Sequence, residues 1–297
     1  ALVVVALFGQ VSDETPFRPY THANYAFVNA VAFSPDGTSL FHASFLGRVA
    51  RHRGQTLAPG APELGIFESR RGTDGTWGEP ALLPFSGRDK DYEPTLSPDG
   101  QFMIFNSWRP LPSGPPNRDG RNNLWLSRRR AGGWSDPVSL AGINRPETEE
   151  SYAAIASDGR IFYVQEVGGK PGGEDWDIYV TRLDGDRASA PTPVAVAATD
   201  AGEGDPWVAP DGSYLIFTRW DRAADWQTSV DLYITFARGM SWTTPVPLAE
   251  LNQPNAPEYA VTITNDLEPM LYFRRGGPMV MRPARPVIER ARAAVVR

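Results

Sequence analysis

The chain has 297 residues, with 29 basic and 35 acidic side chains, a formal net charge of −6 and no cysteine. This balance argues against nucleic-acid binding, which needs basic residues clustered on one face. The lack of cysteine excludes disulfides and thiolate metal sites, and the 28 glycines and 28 prolines indicate short strands joined by turns.

Residues 1–13 are interpreted as an apolar N-terminal segment, because they start with eight apolar side chains, from Ala1 to Phe8. Eight residues are too few to cross a bilayer. The stretch is typical of the end of the apolar region in a signal peptide, and it predicts a periplasmic or secreted bacterial protein. An edge strand is the alternative interpretation.

A short motif with a shared aspartate occurs five times along the chain. The aspartates are at positions 36, 99, 158, 211 and 266, and the clearest copies read Ser34-Pro35-Asp36-Gly37 and Ser97-Pro98-Asp99-Gly100. Pro and Gly at these places suit a tight turn. Sequence repeats of this length predict a propeller or a solenoid.

Each motif is followed by two strand patterns and, in most copies, by Trp-x-x-Pro. In the second copy these are residues 102–105, residues 123–127, and Trp134 with Pro137. Alternating β-branched and aromatic residues are typical of strands, and proline is tolerated in a strand at the outer edge of a sheet. Four antiparallel strands per repeat are the blade of a β-propeller.

The repeats therefore predict an all-β, five-bladed β-propeller over residues 14–282, with a C-terminal tail over residues 283–297. Six blades are the alternative. The fifth copy lacks a Trp-x-x-Pro strand, and the N-terminal Thr15-Pro16-Phe17-Arg18-Pro19-Tyr20 is expected to close that blade, which would remove two open edges. A rival closing strand is residues 285–288, and a third interpretation makes residues 287–297 a short helix.

The order Ser-Pro-Asp-Gly, apolar strand, Asp-Leu-Tyr and Trp-x-x-Pro resembles the TolB-like (PD-type) propeller repeat of bacterial envelope proteins, over about residues 14–282. The resemblance implies a periplasmic, monomeric, non-catalytic scaffold without a transmembrane segment, which binds an envelope protein, a peptide or a glycan. The best-known member has six blades and this chain shows five copies, so the identity of its partners does not carry over.

Strand order decides which end of such a propeller carries the longer connections. In a four-stranded meander, the links between blades and the links from second to third strand emerge at one end. We call this end the long-loop face; its loops are residues 47–62, 109–122, 167–175 and 220–230. Loops on rigid scaffolds often carry function, which makes this face the expected binding surface.

Acidic residues recur just before the inner strands on that face. Equivalent positions are occupied by Asp91, Glu150, Glu203 and Glu258, and two residues further along lie Glu93, Tyr152 and Asp205. One interpretation is an acidic channel mouth that binds a cation (calcium above all), a basic peptide or sugar hydroxyls. The other is that these acids cap backbone amides or pair with arginines such as Arg109 or Arg274, because a repeated position often serves the repeat itself.

Aromatic and basic residues share the same face, and Trp beside charged groups is typical of carbohydrate or peptide clefts. The additional binding candidates are Trp108, Arg109, Trp220, Arg222, Trp226 and Arg274. Trp220 and Trp226 are expected to be exposed in a loop, whereas Trp176 and Trp207 are expected to pack between blades.

The chain has no H-E-x-x-H, no Gly-x-Ser-x-Gly and no phosphate-binding loop. The sequence therefore favours a non-catalytic binding propeller with no cofactor. The alternative is a carbohydrate-active enzyme, a glycoside hydrolase or lyase, because two carboxylates across a channel are what glycoside hydrolysis needs. Its catalytic candidates would be Asp91, Glu93, Glu150, Asp205 and Glu258.

Overall fold

A computed structural model of the chain describes residues 13–20, 28–112, 117, 120–168, 175–224, 229–264, 266 and 268–295. Within those ranges nearly all regular structure is β-strand, with two helices, α1 (Leu46–His52) and α2 (Ala284–Val295). No helix in the described part of the chain is long and apolar enough to cross a membrane.

The strands form five antiparallel sheets; in four of them the earliest strand is innermost, and in the fifth the N-terminal strand is outermost. The chain begins with the short strand β1 (Thr15–Pro16). The first blade contains β2 (Val28–Phe33), β3 (Ser39–Phe45), β4 (Leu64–Arg70) and β5 (Ala81–Leu82). The second contains β6 (Asp91–Leu96), β7 (Phe102–Ser107), β8 (Asn123–Arg130), β9 (Gly133–Trp134) and β10 (Val138–Ser139).

The remaining three blades follow the same plan. The third contains β11 (Glu150–Ile155), β12 (Arg160–Glu166), β13 (Trp176–Asp184), β14 (Arg187–Ala188) and β15 (Thr192–Pro193). The fourth contains β16 (Gly202–Val208), β17 (Tyr214–Trp220), β18 (Asp231–Arg238), β19 (Ser241–Trp242) and β20 (Val246–Pro247). The fifth contains β21 (Glu258–Ile263), β22 (Met270–Arg274) and β23 (Val280–Arg282).

These sheets make a five-bladed β-propeller, as the repeats predicted. In the three middle blades the outer strand is split into two two-residue pieces, and prolines 193 and 247 lie in such pieces, where a missing N–H costs no ladder bond.

The N-terminal strand closes the fifth blade, which confirms that expectation. Strand β1 pairs with β23, with Thr15 opposite Met281 and Pro16 opposite Val280, and the Phe17 amide donates to the Met279 carbonyl at 2.8 Å. The rival closing segment, residues 285–288, lies in helix α2 instead. That helix buries Ala284, Val287, Ile288 and Ala291 against the core of the fourth and fifth blades, because these side chains share one helical face.

The Asp-Gly turns have the local chemistry that their sequence predicts. Asp36 accepts a hydrogen bond from the Thr38 amide, and Asp99 accepts one from the Gln101 amide, both at 3.0 Å. Asp158 and Asp211 do the same. Gly100 has φ +69°, in the left-handed region that glycine tolerates best.

Each inner strand contains a β-bulge where it lines the axis, because its register to the second strand shifts there. At this bulge four blades hold a non-glycine residue at positive φ: Glu93 (53°), Tyr152 (52°), Asp205 (43°) and Ala260 (55°). Bulges re-aim side chains, and here the four equivalent residues line the central cavity.

One element differs from the sequence-based expectation. Residues 47–62 were expected to be an irregular loop, but their first part belongs to helix α1. Leu46, Val49 and Ala50 are buried, at helical spacing, so burial of one apolar face stabilises this short helix.

Candidate binding face and central channel

The registers bring the predicted acids and the long loops to one end of the propeller. Asp91 lies opposite Ser107, Glu203 opposite Arg219 and Glu258 opposite Arg274, each at the end of a second strand where the link to the third strand starts. The placement expected from strand order is therefore observed for these three acids, which lie at the long-loop end of their blades.

We call the four acids that precede the inner strands the mouth acids; they are Asp91, Glu150, Glu203 and Glu258. Three of them are ion-paired. Arg109 contacts Asp91 with Nη2 3.0 Å from Oδ2, Arg219 contacts Glu203 with Nε 3.1 Å from Oε1, and Arg274 contacts Glu258 with Nε 2.7 Å from Oε1. The carboxylates are completely buried. Each arginine also donates to a carbonyl of the preceding inter-blade link, at Phe85, Val196 and Leu251.

The two glutamates also accept hydrogen bonds from backbone amides in those links, whereas Asp91 accepts from the hydroxyls of Ser86 and Ser107. The Thr199 amide donates to Glu203 at 3.3 Å, and the Gln253 amide donates to Glu258 at 3.2 Å. These contacts match the interpretation that the acids cap and pair within the repeat. Burial raises the pKa of Glu203 and Glu258, while their hydrogen bonds and arginines oppose that shift.

Glu150 differs from its three counterparts because no arginine in the described part of the chain pairs with it. The residue opposite it is Gln165, at the position that holds Arg219 and Arg274 in the next two blades. Glu150 is fully buried and accepts hydrogen bonds from the Arg145 amide at 3.1 Å and the Thr148 hydroxyl at 2.5 Å. Burial without a paired cation raises the pKa of Glu150 to about 7.

Glu93, Tyr152 and Asp205 line the central channel, a cavity of about 90 Å³ enclosed by all five inner strands. A cavity of that size has room for several waters. The carboxylate of Glu93 accepts a hydrogen bond from the Ala30 amide at 3.2 Å, and Asp205 lies 3.5 Å from the Thr218 hydroxyl. Burial raises the pKa of Asp205 to about 7. The channel thus brings two of the predicted carboxylates and one tyrosine into one enclosure.

Trp220 was expected to be an exposed loop residue, and that expectation is wrong. Trp220 ends strand β17 and is 2% exposed. Its indole lies over the inner strand of its own blade, where a Cβ at Gly202 would be 2.2 Å from Trp220 Cε2. The other side contacts Trp176, with ring centroids 6.1 Å apart, and Trp176 in turn contacts Tyr152 at 5.6 Å. Gly202 and Gly204 on the neighbouring strand have no side chain, which leaves room for the buried indole.

The remaining candidates divide between packing and exposure. Arg222 joins blades, since its Nη2 lies 2.6 Å from Asp177 Oδ1 and donates to the Trp176 carbonyl. Trp207 packs on Tyr214 and against the core that the fourth and fifth blades form together. Trp226 lies outside the described residues.

Trp108 is an exposed aromatic residue of the long-loop face, with 37% of its surface accessible. Its Nε1 donates to Asn122 Oδ1 at 2.9 Å, and Lys90 Nζ lies 4.1 Å from its ring centroid. The same lysine pairs with Glu63 at 3.3 Å. These contacts hold the indole in place while part of it faces solvent, the arrangement that aromatic platforms in binding sites have.

Sequence reasoning missed two participants. Arg219 stands eight residues after Asp211, as Arg274 does after Asp266, so alignment of the repeats on their aspartates would have found it. Glu14 was also missed: it pairs with Arg274 Nη1 at 2.8 Å, across 260 residues, and no local pattern signals that contact. In the described part of the chain, no three His, Asp or Glu side chains lie together where they could hold a metal ion.

Comparison with known proteins gives the fold and no more. No protein-family model matches the chain, and no curated protein matches it. Among solved structures, a protein of unknown function from Dyadobacter fermentans is 15% identical, with 92% of this chain and 82% of that chain covered and a TM-score of 0.54. A putative TolB from Agrobacterium tumefaciens is also 15% identical, with coverages of 84% and 70% and a TM-score of 0.53.

TolB from Acinetobacter baumannii is 13% identical; the match covers 87% of this chain and about half, 54%, of that chain, with a TM-score of 0.49. At such identities the likeness to the Agrobacterium and Dyadobacter proteins shows a TolB-like propeller fold alone, which agrees with the resemblance read from the repeat.

Proposed function

We propose that this protein is a non-catalytic binding propeller of the bacterial envelope, periplasmic or secreted, which recognises a protein, a peptide or a glycan through its long-loop face. The observation that supports this most directly is the state of the mouth acids. Asp91, Glu203 and Glu258 are each paired with an arginine and are closed to solvent. Two serine hydroxyls also donate to Asp91, and backbone amides donate to the two glutamates, so these acids serve the repeat rather than a reaction.

Among the described residues of the long-loop face, one aromatic side chain beside a lysine is presented to solvent. Trp108 is partly exposed beside Lys90, and the indole is anchored through Asn122. An anchored aromatic ring next to a charged group is suited to stack on a sugar ring or a peptide side chain. Such a residue also loses little side-chain entropy on binding, because its contacts already hold it.

The test is a binding screen on arrays of bacterial glycans and of peptides, followed by titration calorimetry on the hits. Trp108→Ala is expected to weaken binding at least tenfold, because truncation of an anchoring aromatic commonly costs more than 1 kcal/mol, about 2 kcal/mol or more at a hot spot. Met240→Ala is the control, since Met240 is fully exposed on a hairpin at the opposite end. Equal affinity for both variants would refute the assignment of the binding face.

A carbohydrate-active enzyme, hydrolase or lyase, is the second candidate, and one observation favours it. Asp205 lies with Glu93 in the channel and its pKa is raised to about 7, which suits a general acid near neutral pH. If the protein turns over a glycan from the array, Asp205→Asn is expected to abolish turnover and retain binding. Turnover that survives in Asp205→Asn and Glu93→Gln would exclude these carboxylates.

Calcium remains a proposal for this face. Addition of millimolar calcium while the melting temperature is followed tests it, with magnesium as the control. A rise with calcium alone would support a site on the long-loop face, and equal melting temperatures with and without calcium would argue against one.

A further inference from the structure

The third blade lacks a charge that its neighbours have, and the difference concerns one residue. In the fourth and fifth blades the mouth glutamate lies opposite an arginine, Arg219 or Arg274. In the third blade it lies opposite Gln165, whose Oε1 accepts a hydrogen bond from the Tyr163 hydroxyl at 3.2 Å. The uncharged glutamine leaves Glu150 without the cation that its counterparts have.

The link between the second and third blades is nevertheless tied to Glu150. The Arg145 amide and the Thr148 hydroxyl both donate to its carboxyl group, and the Glu150 amide donates to the Asn122 carbonyl on the adjoining blade. Residues 144–149 are thus closed over a fully buried acid.

The charged and titratable groups near Glu150 do not compensate for the missing arginine. Arg145, on the link itself, lowers the pKa of Glu150 and Glu147 raises it, but both side chains are exposed. On strand β12, the neighbours are Tyr163 and Gln165, and Tyr163 is itself stabilised in its neutral form by Glu150. On the adjoining second blade, the contact is a carbonyl, which brings no charge.

We propose that residues 144–149 form a proton-operated latch. Protonated Glu150 donates to the Thr148 hydroxyl, which turns to accept, while its other oxygen accepts from the Arg145 amide and the link stays closed; loss of that proton loosens it. The closed link stabilises the neutral acid because the carboxyl group is fully buried and no arginine among the described residues pairs with it. Opening hydrates the carboxyl group and lets it ionise at its ordinary, lower pKa. The closed form therefore binds the proton more tightly, and it loses stability as the pH rises from the ordinary glutamate range to about 7.

The latch is connected to the long-loop face. Arg121, at the end of the long loop 109–122, donates from Nη1 to the Glu147 carbonyl at 2.8 Å and pairs with Glu166 at 3.3 Å. Opening of residues 144–149 would break the first of these contacts. A change of protonation inside the third blade would thereby reach the surface that carries Trp108 and Asn122.

Hydrogen exchange of single backbone amides tests the latch in the intact protein. The Arg145 amide reports on the contact with Glu150, and its protection is corrected for the intrinsic pH dependence of exchange. We expect protection to fall by about 100-fold between pH 5 and pH 8, roughly tenfold per pH unit until the pKa of the closed form is passed. The Thr199 and Gln253 amides, which donate to arginine-paired glutamates, are internal controls with a weaker dependence.

Two variants separate the latch from ordinary fraying of a loop. Glu150→Gln is nearly isosteric and cannot ionise, so the protection of the Arg145 amide should become independent of pH. Gln165→Arg reproduces the Tyr272-Phe273-Arg274 pattern of the fifth blade and should keep the amide protected at pH 8. The proposal is overturned if the Arg145 amide responds to pH no more than the Gln253 amide, or if Glu150→Gln keeps the wild-type profile.

Discussion

Arg274 joins the N-terminal segment to the last blade, and its replacement by methionine should destabilise the whole propeller. Its guanidinium lies 2.7 Å from Glu258 and 2.8 Å from Glu14, and it donates to the Leu251 carbonyl at 3.1 Å. Glu258 is completely buried, while the side chains of Arg274 and Glu14 are 16% and 14% exposed. Arg274→Met would leave the buried Glu258 without its cation and Glu14 with the more distant Arg282, at 3.8 Å.

The magnitude follows from what the substitution leaves behind. Removing one partner of a buried ion pair costs about 3–5 kcal/mol, because the remaining charge stays desolvated. Total stabilities are about 5–15 kcal/mol, so this loss is a large fraction of the free energy of unfolding. The corresponding fall in melting temperature is on the order of 10 °C.

Urea unfolding followed by tryptophan fluorescence measures the effect, and Arg275→Met is the matched control because Arg275 is the exposed next residue. The control should stay within about 0.5 kcal/mol of wild type. A Glu14→Gln substitution made in the Arg274→Met background should recover part of the loss, since it removes the negative charge of Glu14 that Arg274 neutralised. If Arg274→Met and Arg275→Met unfold within 1 kcal/mol of each other, roughly the error of such comparisons, the closing ion pair is not important for stability.

Three further outcomes are expected. Gly100→Val should cost about 1–3 kcal/mol, because Gly100 has φ +69° and a Cβ there would lie 2.9 Å from a proline ring, whereas Gly132→Val, at an open position, should cost less in the same melting experiment. Gly202→Ala should destabilise by about 1–3 kcal/mol through its clash with Trp220, and Trp220→Leu should partly rescue it in the double variant. The Arg274 hydrogen bond lowers the pKa of Glu14, so its stabilisation is present at neutral pH and is lost as the pH falls through that lowered value; acid unfolding of Glu14→Gln should therefore depend less on pH below about pH 4.

The architecture could be predicted from the sequence because its signals are local. A Ser-Pro-Asp-Gly turn forms from contacts within five residues, as the hydrogen bonds of Asp36 with Ser34 and Thr38 show. Five copies at similar spacing then imply five similar blades, and strand order implies which end carries the long loops. The closing strand could also be predicted, since the fifth repeat lacks what the N-terminus supplies.

The state of the candidate site depended on contacts between distant parts of the chain. Whether Trp220 is exposed depends on two glycines of another strand, and whether Glu258 is free depends on Arg274, which also holds Glu14. A side chain's burial and charge environment are set by register and packing between strands, and a single repeat does not contain that information. The tertiary structure therefore decided which acids are paired, and that Glu150 lies opposite a glutamine where Glu203 and Glu258 lie opposite arginines.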